Sequence, residues 1–408
     1  MEKRTSWKRW ENPGDPHLMN RIQWNFRELE SMQQVFDADW FGYGAVNKDL
    51  EKKLATYTGV PYFNLTNSGS TALTTAIKVL YHLGRLKRGD LVIHPVTTFP
   101  TSISAALDYG LIPVFIETRA DTYVADEAQV ERAVQKFPSA RAMILPHLLG
   151  NIPNMARIRS ALGDRILIED CCDTLGGTFN GRHVGSFGDF MALSFYGSHH
   201  ISAAGVGGAL GTPDEKLSQL AKSIIFWGHD YDTHDTNGSN DKQKDFLARY
   251  DCQTIGSDFQ LSAIQAAFAL AQMDRLPDFV LRREKQFQEM DTMFKENGYF
   301  NTHVSDTSSR PSWFCYPVTI KPEAPFKRRD FVEYLTDRKV ETRPIMCGNL
   351  LKQAPYSGIK RITLDRDNFP IGDAIQETGM FLPCWGMPDN QKADYYRILQ
   401  DFLGRNKY

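Results

Sequence analysis

The 408-residue chain lacks the features that would set it apart from ordinary globular proteins. No stretch approaches the roughly eighteen uninterrupted apolar residues of a membrane span. The opening MEKRTSWKRWENPGDPH has no apolar leader segment, so the expectation is a cytoplasmic protein with no membrane contact. Six cysteines (Cys171, Cys172, Cys252, Cys315, Cys347, Cys384) are too few for a disulfide framework and match no zinc-ribbon spacing; reduced thiols and no bound metal are expected. Neither charge dominates. The 47 Lys and Arg against 49 Asp and Glu give a formal net charge of −2, too little to draw nucleic acid or an anionic membrane, so an anionic ligand must be held by local groups. Low-complexity runs and repeats of roughly twenty to fifty residues are also missing, which excludes solenoids and propellers.

What remains is a chain with 42% hydrophobic residues, long enough for two domains. Between residues 59 and 213 short β-rich runs (VPYFNLTN, DLVIHP, LIPVFIE, RAMILPHLLG, RILIEDCC, FMALSFY) alternate with helical patterns such as STALTTAIKVLYHL. Apolar strands without polar alternation predict an α/β fold with a mainly parallel sheet covered on both faces, its ligands at the carboxyl ends of the strands. The run from Leu261 to Gly298 reads as one long helical segment that Gly298 stops, with a domain boundary inside it. PSWFCYPVTI, FKRRDFVEYLTDRKV and QKADYYRILQDFL then suggest a smaller C-terminal α+β domain, giving domains 1–275 and 276–408. The polar stretch 228–245 reads as an exposed loop. Its His229 and His234 fix no third ligand by spacing.

Four places carry chemistry. Asn67-Ser68-Gly69-Ser70-Thr71 lies between a predicted strand and a helix, where amides and the hydroxyls of Ser70 and Thr71 can hold a phosphate; the same residues also make a simple N-cap. Phe99 follows another strand and could stack on a planar ring or belong to the core. Ile168-Glu169-Asp170-Cys171-Cys172-Asp173 brings an apolar strand to an acidic end, where a carboxylate beside a protonated pyridine nitrogen would keep that nitrogen charged. Ser194-Phe195-Tyr196-Gly197-Ser198-His199-His200 precedes the glycine run Gly205-Val206-Gly207-Gly208.

Taken in order, these motifs resemble the DegT/DnrJ/EryC1/StrS sugar aminotransferases, of the aspartate aminotransferase fold (pyridoxal-phosphate fold type I), from about residue 20 to the C-terminus. The resemblance implies pyridoxal 5′-phosphate (PLP) held by Ser70, Thr71, Phe99, Asp170, Asp173 and Ser194. It also implies a homodimer with shared sites. In that family the residue five after the serine is the lysine that links covalently to PLP; here it is His199, and no lysine occurs between Lys136 and Lys216. The chain therefore resembles the histidine-for-lysine subfamily, the 3-dehydratases of nucleotide-linked 4-keto-6-deoxy sugars. Glu341-Thr342-Arg343 and Gly348-Asn349-Leu350-Leu351 look like the same subfamily, which implies substrate contacts from Arg343, Asn349 and His200.

An imidazole has no primary amine to tether PLP, so the cofactor must be held noncovalently, working as pyridoxamine phosphate (PMP) with His199 as acid and base near its reference pKa of about 6.5. One branch of these dehydratases holds an iron–sulfur cluster on closely spaced cysteines after the glycine run and uses a reductase. That segment here has only Cys252, so four thiolates cannot come from it. The resemblance then favours the branch acting on GDP-4-keto-6-deoxymannose, with L-glutamate as amino donor and release of a 3-deoxy sugar and ammonia. The alternatives are an aminotransferase with an unusual base and a non-catalytic sugar-nucleotide-binding protein. Two departures from the family stand out. Val206 replaces a common glutamate, and Asp258 stands where an asparagine reaches the partner's phosphate.

Overall fold

The computed structural model describes residues 16–229, 250–304 and 306–406. Of the expected 228–245 loop, all but Gly228 and His229 lies outside the described residues, His234 included. The central sheet has eight strands, Tyr62–Thr66, Gly208–Thr212, Phe190–Ser194, Ile166–Asp170, Ala140–Pro146, Leu91–Pro95, Ile112–Ile116 and Ile362–Thr363, side by side in that order. From Phe190–Ser194 to Ile362–Thr363 every pairing is parallel, whereas Gly208–Thr212 runs against both neighbours.

Alternate residues along these strands feed two cores. Ile93, Met143, Leu145, Leu167 and Leu193 pack on one face against the helices Ala45–Thr58, Met155–Leu162 and Ala263–Met273. Val92, Ile144, Ile168, Phe190 and Ala192 pack on the other against Gly69–His82, Thr101–Asp108 and Glu215–Ile225. Burial on both faces is why the strands read as unbroken apolar runs. The same alternation puts Asp170 and Ser194, the last residues of neighbouring parallel strands, on the face that Gly69–His82 covers.

A second, antiparallel sheet of Phe300–Asn301, Tyr316–Ile320 and Gly379–Leu382 accompanies the helices Arg328–Asp337 and Asp389–Arg405. Its core is aromatic: Phe287 stacks on Trp313 with centroids 3.5 Å apart, amid Phe294, Tyr316, Phe331 and Phe402. The expected single helix over 261–298 is two, Ala263–Met273 and Leu276–Asn297. Pro277 explains the break. In a continuous helix its ring would meet the carbonyl of Met273, but in a first turn its missing N–H costs nothing. The second helix gives Leu276 and Val280 to the large-sheet core and Phe287, Met290 and Phe294 to the aromatic one. Gly298 caps it in the left-handed conformation, as expected.

Phe294 is fully buried where four aromatic rings meet. Replacing it with alanine is expected to remove about 3–5 kcal/mol of stability, read as a lower urea midpoint in an equilibrium unfolding curve.

Candidate active site

Four loops converge at the carboxyl edge of the large sheet. Ser68 has extended backbone and caps the helix Gly69–His82, its hydroxyl accepting the Thr71 amide at 3.2 Å; Thr71 Oγ1 donates to Asn67 Oδ1 at 2.8 Å. Ser70 Oγ donates to Thr101 Oγ1 at 2.9 Å, tying this turn to the helix that follows Phe99. The capping described for Ser68 and Thr71 is thus present, and it fixes a helix start whose first-turn amides point outward.

Two glycines let that start rest on the strand ends. A Cβ on Gly69 would lie 2.6 Å from Cys172 Sγ and 2.9 Å from Ser194 Cβ, and one on Gly208 would lie 2.4 Å from the carbonyl carbon of Ser68. The phosphate turn, the acidic strand end, the serine and the glycine run are therefore one packed unit. Beside it, the buried Asp170 accepts the Ser102 hydroxyl at 2.5 Å and the Cys172 amide at 3.2 Å. Ser102 is three residues beyond Phe99, whose ring is 51% exposed, so the ring is not a core residue. His94 fixes that loop from below, donating from Nδ1 to the Ile144 carbonyl at 2.9 Å with Thr98 Oγ1 at its Nε2.

These residues fit a planar, phosphorylated pyridine cofactor. Amides and hydroxyls gather in a cradle that a single added Cβ would fill, a carboxylate is held at depth, and an aromatic face is open.

His199 stands nearby with its Nδ1 3.5 Å from Asp173 Oδ1. Burial, aided by the positive Arg283, holds its imidazole neutral down to about 3. Asp173 goes the other way: burial raises its carboxyl to about 7, against the Leu149 amide that donates to Oδ2 at 3.1 Å. Arg283 is buried and donates to the carbonyls of Phe314 at 2.8 Å and of Trp313 and His199 at 3.3 Å. Burial lowers even its pKa, to about 10.

The three expected substrate residues are placed differently. His200 is buried with Nε2 2.9 Å from Ser312 Oγ. Asn349 is buried and caps the short helix Leu350–Lys352, its amide donating to Asp373 at 2.7 Å. Arg343 pairs with Glu341 at 2.9 Å on the surface. The side chains of Asn349 and Arg343 therefore spend their hydrogen bonds outside the convergent loops. Asp258 is exposed, with Gln260 Nε2 donating to its Oδ1 at 3.2 Å. His147 and Glu169, fully buried beneath this edge, share a hydrogen bond of 2.9 Å.

Sequence reasoning did not single out Ser102, Leu149 or Arg283. Arg283 had a signal: it occupies the buried stripe Leu276, Phe279, Arg283, Phe287, Met290, where helical spacing calls for an apolar side chain. Leu149, left-handed at φ 60°, had none.

A profile of the DegT/DnrJ/EryC1/StrS aminotransferase family matches residues 24–400. The chain is similar to the lipopolysaccharide biosynthesis protein RfbH of Salmonella typhimurium, 34% identical over 93% of this chain and 90% of that protein. It is also similar to a GDP-4-keto-6-deoxy-D-mannose 3-dehydratase of Escherichia coli O55:H7, at 29% over 92% and 96%. Its fold is similar to a crystal structure of GDP-4-keto-6-deoxymannose-3-dehydratase with a trapped PLP–glutamate geminal diamine: TM-score 0.85, 26% identity, 93% of this chain and 99% of that one covered.

A histidine whose folded pKa lies near 3, against about 6.5 unfolded, binds its proton more weakly when folded. Its contribution to stability is complete above pH 6.5 and is lost as pH falls toward 3. Urea midpoints at pH 7 and pH 5 should therefore fall less for His199→Asn than for the parent chain.

Proposed function

This chain belongs to the DegT/DnrJ/EryC1/StrS aminotransferase family, and from that premise we propose that it removes the C3 hydroxyl of a nucleotide-linked 4-keto-6-deoxyhexose, with His199 as acid and base and glutamate as amino donor. It is a PLP-dependent sugar dehydratase. The observation that carries the finer reading is His199 itself, a neutral imidazole beside a carboxylate at the place of the family's lysine, in a stretch from Lys136 to Lys216 that holds no other lysine.

In this reading the turn at Ser70 and Thr71, with Ser194, would hold the phosphate, Phe99 would supply a stacking face, and Asp170 would be the carboxylate for the pyridine nitrogen. Bound as PMP, the cofactor supplies a primary amine for the sugar's C4 ketone and a ring that accepts electrons. His199 would be the group that takes a proton from the cofactor's C4′ carbon and returns one as the C3 oxygen departs. Glutamate, oxidised to 2-oxoglutarate, provides the two electrons that turn a C3 carbinol into a methylene, and its nitrogen leaves as ammonia. An iron–sulfur cluster does not enter this scheme, because the segment after the glycine run offers Cys252 alone. The pairing of His199 with a carboxylate favours proton transfer over the aminotransferase alternative, which wants an amine there. Intact Phe99, Asp170 and Ser194 speak against a non-catalytic protein.

Two copies sharing their sites complete the reading. It is supported by large apolar side chains left exposed on and beside the helix Phe26–Asp37, among them Phe26 and Trp40 at 62% and Phe36 at 53%.

With glutamate and a panel of GDP-, CDP-, UDP- and dTDP-4-keto-6-deoxyhexoses, mass spectrometry should find a 3-deoxy product with ammonia; nitrogen kept on the sugar would instead establish amino transfer. Borohydride reduction of the PLP-loaded protein should leave the chain unlabelled, and a phosphopyridoxyl adduct at any lysine would defeat noncovalent binding.

A further inference from the structure

We propose that Asp173 is a positioning residue that holds His199 in the tautomer protonated at Nδ1, so that Nε2 carries the lone pair that takes the proton. The inference rests on the reading of His199 as the acid and base. Three independent observations lead to it.

The first is the pairing. His199 Nδ1 is fully shielded from solvent and makes no hydrogen bond; Asp173 Oδ1 lies 3.5 Å from it, within ion-pairing range. A carboxylate can only accept, so it selects the tautomer with hydrogen on Nδ1. The second is how Asp173 is itself held. Its other oxygen, Oδ2, accepts the amide of Leu149 at 3.1 Å. Leu149 sits at φ 60°, ψ 15°, a left-handed conformation that costs a branched side chain on the order of 1–2 kcal/mol. Its carbonyl accepts the Phe314 amide at 3.1 Å, which pins the strained turn to the chain that also packs a ring against His199, centroids 5.2 Å apart. Strain kept in place to aim one amide at one carboxyl oxygen is what a positioned side chain requires. The third is the back of the imidazole. Its backbone is fixed by Arg283 donating to the His199 carbonyl, and by the His199 amide donating to the Tyr196 carbonyl at 3.0 Å. The ring is left with rotation and protonation as its remaining freedoms, and Asp173 governs both.

The charged and titratable groups facing this pair are Asp170, Cys172, Tyr196, His200, Arg283 and Cys315. Asp170 raises the Asp173 carboxyl and Arg283 lowers it, after burial and the Leu149 amide. The consequence has a sign. Above about pH 7 Asp173 is a carboxylate and accepts from Nδ1; below it the protonated carboxyl becomes a donor, the imidazole proton moves to Nε2, and the base is lost. The acid limb of the rate should thus follow Asp173, near 7, and not the far lower proton affinity of His199.

The test is the tautomer. Long-range ¹H–¹⁵N correlation spectra of the histidine-labelled protein without substrate, with the His199 signals identified by their loss in His199→Asn, should show Nδ1 protonated and Nε2 bare at pH 8. In Asp173→Asn the carboxamide oxygen can keep the Leu149 amide while its NH₂ faces Nδ1, so the pattern should invert. Turnover should fall on the order of 10⁴-fold in kcat, as when another catalytic imidazole is held in the wrong tautomer, with KM for the sugar unchanged. An Nε2-protonated His199 in the parent protein, or an uninverted pattern in Asp173→Asn, overturns the proposal, and the first of these can be read even if the variant does not fold. Failure of the parent protein to turn over any sugar nucleotide would instead remove the dehydratase reading and leave the tautomer result standing.

Discussion

The contact between the start of the helix Gly69–His82 and the ends of three strands is the constraint on which the site depends. Gly69 lies against Cys172 and Ser194, and Gly208 lies against Ser68, at distances no Cβ could occupy. Because Cys172 lies two residues beyond the strand that ends at Asp170, and its amide donates to that carboxylate, this one approach sets the depth of the carboxylate, the serine and the helix dipole together. The strand Gly208–Thr212, wedged antiparallel between Tyr62–Thr66 and Phe190–Ser194, is what brings the glycine run under the helix start.

Around that frame the protein invests in buried polar groups. Asp173, His199, His200 and Arg283 are all withdrawn from water, and burial is the largest influence on the proton affinity of each. Such groups persist only where backbone and neighbouring charges compensate them, and here the compensation comes from carbonyls on Arg283 and an amide on Asp173. Neutrality of the imidazole at physiological pH follows from this enclosure, which leaves a lone pair free while lowering its pKa to about 3, well below the roughly 6.5 expected of a histidine.

The large sheet was legible because its strands are buried on both faces and carry no polar alternation; the runs around 62–66, 91–95, 112–116, 140–146, 166–170 and 190–194 all became strands. The strand Gly208–Thr212 hid inside a glycine run, since glycine signals a turn more strongly than an extended chain. The helices Phe26–Asp37 and Ala45–Thr58 went unassigned. The first has mostly polar or exposed positions, with Glu28 and Val35 its buried residues, so its apolar stripe is thin. Pro277 was a visible breaker within the segment read as one helix. In the site, Phe99, Asp170, Ser194 and the turn at residues 67–71 were legible from their places after strands, and His199 from its place after Ser194. The pairing of His199 with Asp173 was not, because 25 intervening residues and a left-handed leucine create it. Asn349 shows the reverse: a polar residue in a recognisable motif that the fold uses as a cap.

The helix Leu276–Asn297 has a thermodynamic consequence. Its 22 residues form one hydrogen-bonded rod with its first turns in the core of the large sheet and its last in the aromatic core. Arg283 sits between the two, bonded to the carbonyls of Trp313, Phe314 and His199. Melting of the aromatic core would fray the rod back to that guanidinium and loosen the histidine loop while the large sheet still stood. Heat or denaturant would then silence the enzyme ahead of global unfolding, so an activity assay would be the earliest sign of the C-terminal part letting go.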